Sequence, residues 1–161
     1  MPNKRRANIE HNQARRELYV HAAERVKEAI AAKYYLEAIT LLESLISDRL
    51  ESYIEKETQQ PGELLSLGIN IKRAKACAKA SSIPESVELL PYLEQARTWK
   101  NARNELLHEA VKIEEGAEKQ WDWMTNKANQ AALEGCELFK NLKRVVSKLK
   151  NRQLKQSDQT L

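Results

Sequence analysis

Apolar residues recur along this chain at steps of three and four, the spacing that lines one face of an α-helix. Leu18, Ala22, Val26 and Ile30 mark such a stripe on a helix expected from about Gln13 to Ala32. A stronger stripe of Leu36, Ile39, Leu42, Ile46, Leu50, Tyr53 and Ile54 predicts a second helix from about Tyr34 to Thr58. Gln59-Gln60-Pro61-Gly62 ends it, because proline lacks a donor and glycine favours a turn. A third helix is expected over about Glu63 to Lys79, with Gly68 as a weak point and Ser81-Ser82-Ile83-Pro84 as its stop. A fourth starts near Pro84 or Pro91, both suited to a first helical turn, and runs to about Glu114. The last spans about Ala117 to Arg152, with Trp121, Met124, Ala128, Ala131, Leu138, Leu142, Val145 and Leu149 as a long buried stripe. The pattern predicts an all-α fold, an antiparallel bundle of about five helices with a long C-terminal helix, since short connections favour antiparallel neighbours. Residues 1–12 read as a disordered polar leader, 13–152 as a single domain and 153–161 as a polar tail.

Composition agrees with this picture. A chain of 161 residues is most simply one domain with a real core, and four glycines, four prolines and one phenylalanine leave little to build a sheet. No apolar stretch approaches the roughly 18 residues of a membrane span, and no apolar signal core follows the basic Met-Pro-Asn-Lys-Arg-Arg start. A cytoplasmic protein without a membrane partner is the expectation. Cys77 and Cys136 lie far apart among small or apolar neighbours and are expected to be buried free thiols. No metal or cofactor is implied. The net charge of +4 matters less than its distribution. Lys140, Lys143, Arg144, Lys148, Lys150, Arg152 and Lys155 follow one another with no acid between them. Attraction for phosphate and a solvated helix end that complements the helix dipole both account for such a run.

Candidate chemistry centres on the three histidines. An arginine five residues ahead of a histidine can supply metal-free RNA cleavage, yet Arg6–His11, Arg16–His21 and Arg103–His108 all share that interval. Context separates them. His11 falls in the polar leader, and His21 stands among Arg15, Arg16, Glu17 and Glu24, a salt-bridged face. Arg103 falls among Ala96, Trp99, Leu106, Leu107 and Ala110, bordering the buried side of its helix. Arg97, Asn101, Asn104 and His108 form an acid-free polar stripe beside it. An imidazole with a reference pKa near 6.5 can take the proton of a ribose 2′-hydroxyl. A guanidinium can hold the scissile phosphate, and Asn104 can orient the ring or bind a phosphate oxygen. A half-buried structural Arg and His in a bundle explains the same residues. Glu43 interrupts the second stripe between Ile39 and Ile46 and needs a partner or a wet groove, with Arg49, Arg97 and Arg103 in reach. His108-Glu109 lacks the second histidine of a zinc protease, since Lys112 takes that place. Trp99, Trp121 and Trp123 suit base stacking or, more commonly, a core.

The order Arg103-Asn104-x-x-x-His108 near the end of a late helix, followed by one long final helix, resembles a HEPN domain. The segment Tyr35-Leu36-Glu37-Ala38-Ile39-Thr40-Leu41-Leu42-Glu43-Ser44 is similar to that family's long core helix, and the resemblance covers roughly residues 14–150. It implies a metal-independent endoribonuclease that acts on RNA in a toxin–antitoxin, phage-defence or RNA-processing setting. Arg103 and His108 would form its catalytic pair, with Asn104 as an auxiliary and Glu43, Arg97 and Asn101 supporting the site or binding RNA. It implies a homodimer whose two motifs face one cleft, and it leaves room for an antitoxin protein as partner. Ala110 stands where one toxin subgroup carries a modifiable tyrosine, which argues against that form of control. A non-catalytic helical adaptor, or a HEPN module that only binds nucleotide or RNA, is the rival reading.

Overall fold

The computed structural model describes the backbone of residues 4–60, 63, 65–109 and 121–158, and side chains within 13–60, 63, 65–108 and 121–152. Five α-helices and one short 3-10 helix occupy them: α1 (Lys4–Ala31), α2 (Tyr35–Thr58), α3 (Leu67–Ala80), the 3-10 helix (Pro84–Leu89), α4 (Leu90–Glu109) and α5 (Trp121–Asp158). α1 starts well ahead of the expected Gln13, and α5 runs past Arg152. Both extensions are polar, but neither contains glycine or proline, and their Lys, Arg, Glu and Gln residues are strong helix formers. The expected end of the fourth helix at Glu114, the start of the last at Ala117, and Ala110 and Lys112 lie outside the described residues.

α1 hands over to α2 through a tight turn. Lys33 adopts the left-handed conformation (φ 63°) although it is not a glycine. The Lys33 amide donates to the Ile30 carbonyl at 3.0 Å, and the Tyr34 amide reaches back to the Ala29 carbonyl at 2.7 Å. Those two bonds make a Schellman end, which satisfies carbonyls the helix would otherwise leave open. Gln59 (φ 56°) ends α2 just ahead of Pro61-Gly62. α3 begins at Leu67 rather than Glu63, because Ser66 is extended and its carbonyl takes the Ile69 and Asn70 amides. Gly68 therefore falls in a first turn, with the Lys100 side chain 3.7 Å from where its Cβ would stand. Both candidate prolines are used: Pro84 opens the 3-10 helix, and Pro91 is the second residue of α4.

Cross-helix pairs give the directions. Arg15 of α1 meets Asp48 and Glu55 of α2, and Arg25 meets Glu37, so these helices are antiparallel. Lys75 pairs with Glu94, and Lys100 covers Gly68, so α3 and α4 are antiparallel too. Trp99 contacts Ala131 and Arg144 contacts Tyr92, which sets α4 against α5 in the same way. The α2–α3 pair departs from the expected alternation. Asn70 donates to Ser47 at 2.8 Å, while Cys77, further along α3, feels the field of Glu57 further along α2. α3 thus progresses along α2 in the same sense. The connection from Gln59 to Ser66 is long enough, at about 3.3 Å per residue, to run back over three turns of helix.

α2 is the hub, packed against α1, α3 and α5. Ile39, Leu42, Ile46 and Leu50 are fully buried, each worth about 1.5–3 kcal/mol of hydrophobic stabilisation. They meet Leu142, Val145, Val146 and Leu149 of α5 and Val26 and Ala29 of α1 in one core. Three expected stripe residues stand outside it: Leu18 (72% exposed), Leu36 (39%) and Trp121 (71%). The α1 stripe steps by four, and each such step turns about 40° past a full circle, so its first member has rotated off the buried face. Tyr19 takes that place, its ring 5.6 Å from Phe139. Trp99 is the tryptophan of the core. Its indole N–H donates to the Ala131 carbonyl at 2.7 Å, and Gly135 lets α5 pass so close that a Cβ there would lie 2.8 Å from the ring. Cys77 and Cys136 are free and half-buried, and burial raises both thiols above their ordinary pKa. Among the described residues no helix is long and apolar enough to cross a membrane.

Candidate functional site

α4 carries the candidate residues because its core face and its polar stripe run side by side. Ala96, Trp99 and Leu106 anchor the core face. Arg103 belongs to that face itself rather than to its border: it stands one turn beyond Trp99, with a side chain only 19% exposed. His108 follows five residues later, about 140° around the helix, and is exposed. Asn104 lies between them in angle and is one turn from His108 on the same side.

Two contacts define the guanidinium. Its Nη2 forms an ion pair with the Glu43 carboxylate of α2, itself 25% exposed. Its Nη1 donates to Asn104 Oδ1 at 2.6 Å. Of the three arginines in reach of Glu43, the structure pairs Arg103 with it, whereas Arg49 pairs with Asp48 and Arg97 with Glu94. The Arg103 Nε is buried and has no hydrogen-bond partner among the described residues. Burial lowers the Arg103 pKa from its ordinary value, and the Glu43 carboxylate stands opposite its charge.

The contact with Asn104 draws a half-buried arginine toward the polar stripe. It also sets the amide, since an oxygen facing a guanidinium leaves the NH2 end to donate outward. A phosphate oxygen is an acceptor, so that orientation suits phosphate. His108 sits in the last described turn of α4.

The remaining expectations for the stripe fare differently. Asn101 is exposed and points to no partner among the described residues. Arg97 is tied to Glu94, whose other oxygen meets Lys75, and hydrogen bonding to these cations, Lys75 first, holds the Glu94 carboxyl below its ordinary pKa. The stripe is therefore not acid-free in its surroundings. Glu94 neutralises one end from a turn earlier on the same helix, and Glu43 neutralises Arg103 from α2. His21 pairs with Glu24 at 3.8 Å on an open face, as its charged neighbours suggested. The side chains of Arg6 and His11 lie outside the described residues.

Sequence reasoning gave no weight to the far flank of α4. There Ala102, Glu105 and Leu106 face Trp123 and Lys127 across a cavity of about 140 Å³. The Lys127 ammonium lies 4.1 Å from the centre of the half-exposed Trp123 ring. The signal in the sequence was an i,i+4 Trp–Lys pair at the start of the last helix. Among the described residues no group of three or more His, Cys, Asp or Glu is placed to hold a metal ion.

Compared with known proteins, the chain matches no family model, no curated protein and no solved structure.

Proposed function

We propose that this chain is a metal-independent endoribonuclease of HEPN type, with His108 as acid–base and Arg103 as the phosphate-stabilising group. One observation carries the reading: Arg103 Nη1 reaches Asn104 Oδ1 at 2.6 Å, so a half-buried cation is turned toward the stripe on which His108 is exposed one turn away. In the reaction, His108 accepts the proton of the ribose 2′-hydroxyl, and the freed oxygen attacks the adjacent phosphorus. The bond to the 5′-oxygen breaks, leaving a 2′,3′-cyclic phosphate and a 5′-hydroxyl whose proton comes from water or from an imidazolium. Arg103 offsets the charge gathering on the equatorial oxygens, and the Asn104 NH2 binds one of them. A second copy of the chain completes the cleft in this reading, RNA is the substrate and the cytoplasm is the setting.

The test is cleavage of single-stranded RNA by the purified protein in EDTA. His108→Ala should slow it about 100-fold or more, while helix content and melting temperature stay unchanged because the ring is exposed. Full activity in that variant would remove His108 from the mechanism. A second reading, a non-catalytic helical adaptor, is favoured by the Arg103–Glu43 ion pair, which neutralises the cation and ties α4 to α2. In that case wild-type protein leaves RNA intact and Arg103→Ala acts on stability alone.

A further inference from the structure

α5 carries a second basic feature, remote from Arg103. From Leu138 to Ser157 the sequence has no acid. The helix spends its apolar face, Leu138, Leu142, Val145, Val146 and Leu149, in the core. Its cations then divide into two groups. Lys148 is held by Glu88 at 2.7 Å, Arg152 by Glu85, and Lys150 turns inward to Ser52 Oγ at 2.7 Å. Lys140, Lys143 and Arg144 are exposed, and no carboxylate among the described residues pairs with them. Arg144 is nonetheless oriented, its Nη2 donating to the Tyr92 hydroxyl at 3.2 Å and to Asn141 Oδ1 at 3.4 Å.

α1 adds to this cluster. Arg25 pairs with Glu37 on the α2 flank of α1. Arg16 precedes it by nine residues, about half a turn around the helix, and so occupies the opposite flank, the one toward α5. It is exposed and forms no ion pair among the described residues. Between the two helices Tyr19 packs on Phe139, and the Lys143 ammonium lies 5.8 Å from the Tyr19 ring centre. The patch ends at Glu137, where the α4–α5 groove turns acidic with Glu94 and Glu134.

We propose that Lys140, Lys143, Arg144 and Arg16 form a docking track for the phosphate backbone of single-stranded RNA, about 20 Å along the bundle from the level of Arg103. The naming of RNA rests on the ribonuclease reading; the polyanion chemistry does not. Unpaired, outward cations on a polar face release counterions when they meet phosphates, which is the source of sequence-independent binding. A lipid surface fits less well. Among the described residues the exposed large apolar side chains of α5, Trp121, Trp123 and Leu133, all precede the track, and a membrane-surface helix needs an apolar face beside its cations to insert.

The experiment measures anisotropy of a fluorescein-labelled oligouridylate in EDTA as salt is varied, with every protein carrying His108→Ala so that binding is followed without cleavage. The triple variant Lys140→Gln, Lys143→Gln, Arg144→Gln should bind about tenfold or more weakly. The slope of log affinity against log salt should fall by about 2, at roughly 0.7 per lost phosphate contact. A control triple, Lys27→Gln, Lys72→Gln, Lys79→Gln, removes the same charge from other exposed positions and should leave the slope unchanged. Equal losses in both triples, or none in the first, would overturn the track. So would a first triple that keeps its RNA affinity but loses binding to phosphatidylserine vesicles. Track-dependent binding, with no RNA cleavage by the protein that keeps His108, upholds the track and sinks the ribonuclease reading. Cleavage with track-independent binding does the reverse.

Discussion

Two half-buried charged junctions tie α2 to its neighbours, and they are built differently. On the α1 side Asp48 is shared: Arg15 donates to one carboxylate oxygen at 2.7 Å and Arg49 to the other. Glu55 adds a second acid for Arg15 at 3.6 Å, and the Arg49 guanidinium lies 4.3 Å over the Tyr19 ring. Burial pushes the Asp48 carboxyl up, but hydrogen bonds from Arg49 and Arg15 outweigh it and leave the pKa lowered. The orphan of that junction is neutral, the buried Tyr19 hydroxyl, whose pKa burial raises to about 12. On the α4 side, among the described residues, Glu43 faces Arg103 alone, Asn104 supplies the second contact, and the orphan is an N–H of a charged group. A buried unpaired donor costs about 1–3 kcal/mol, more when charged. The first junction is organised as scaffold. The second leaves a charged donor without a partner among the described residues, on the helix that carries the exposed His108.

Substitution of the two acids weighs the junctions against each other. Asp48→Asn should have the larger effect, about 3 kcal/mol in chemical denaturation, because it takes the shared acid from Arg49 and leaves Arg15 only Glu55, with Lys150 close by. The sign with pH follows from the lowered pKa. The Asp48 contribution is present above the ordinary carboxyl value near 3.8 and is lost as pH falls through its lower folded value, so wild type and Asp48→Asn should converge in acid. A gap that persists well below that value would mean the ionised carboxylate is not what matters.

Glu43→Gln should cost less, about 1–2 kcal/mol, since one arginine loses one partner and keeps Asn104. A loss as large as that of Asp48→Asn would place Arg103 with the scaffold and erase the contrast. Lys150→Met should have the smallest effect and the opposite direction, a gain of about 0.5 kcal/mol. Burial, and the nearby Arg49, lower the Lys150 pKa, so its charged form is disfavoured in the fold, while its stem already packs between helices. A melting temperature that drops in this variant would show that the Lys150–Ser52 bond stabilises more than the ammonium's burial costs.

The helices were legible because their periodicity is local, and so was the anomaly at Glu43, an acid inside an apolar stripe. Its partner was not, since choosing among Arg49, Arg97 and Arg103 requires knowing which turn of α4 crosses α2. Arg97 had a nearer acid in Glu94, three residues before it, a pairing visible in the sequence once distance along one helix is given priority. Arg103 was placed at the edge of its helix rather than in its core face, because residue type argued for an edge and angle argued against it. The direction of α3 depends on a connection whose length permits a return path but does not dictate one. Trp121 satisfied the α5 stripe in spacing, yet it stands in the first described turn of that helix and is exposed.

The close pass of Gly135 under Trp99 has a spectroscopic consequence. Trp99 is shielded and hydrogen-bonded to the Ala131 carbonyl, whereas Trp121 is open to solvent and Trp123 is half-exposed. Iodide therefore quenches those two, Trp121 the more, and spares the third indole. That indole stands a single turn ahead of Arg103 on the same helix face and is clamped to α5, so its colour and lifetime report any sliding of α4 against α5. The molecule contains its own gauge of whether the arginine-bearing helix moves when a ligand arrives.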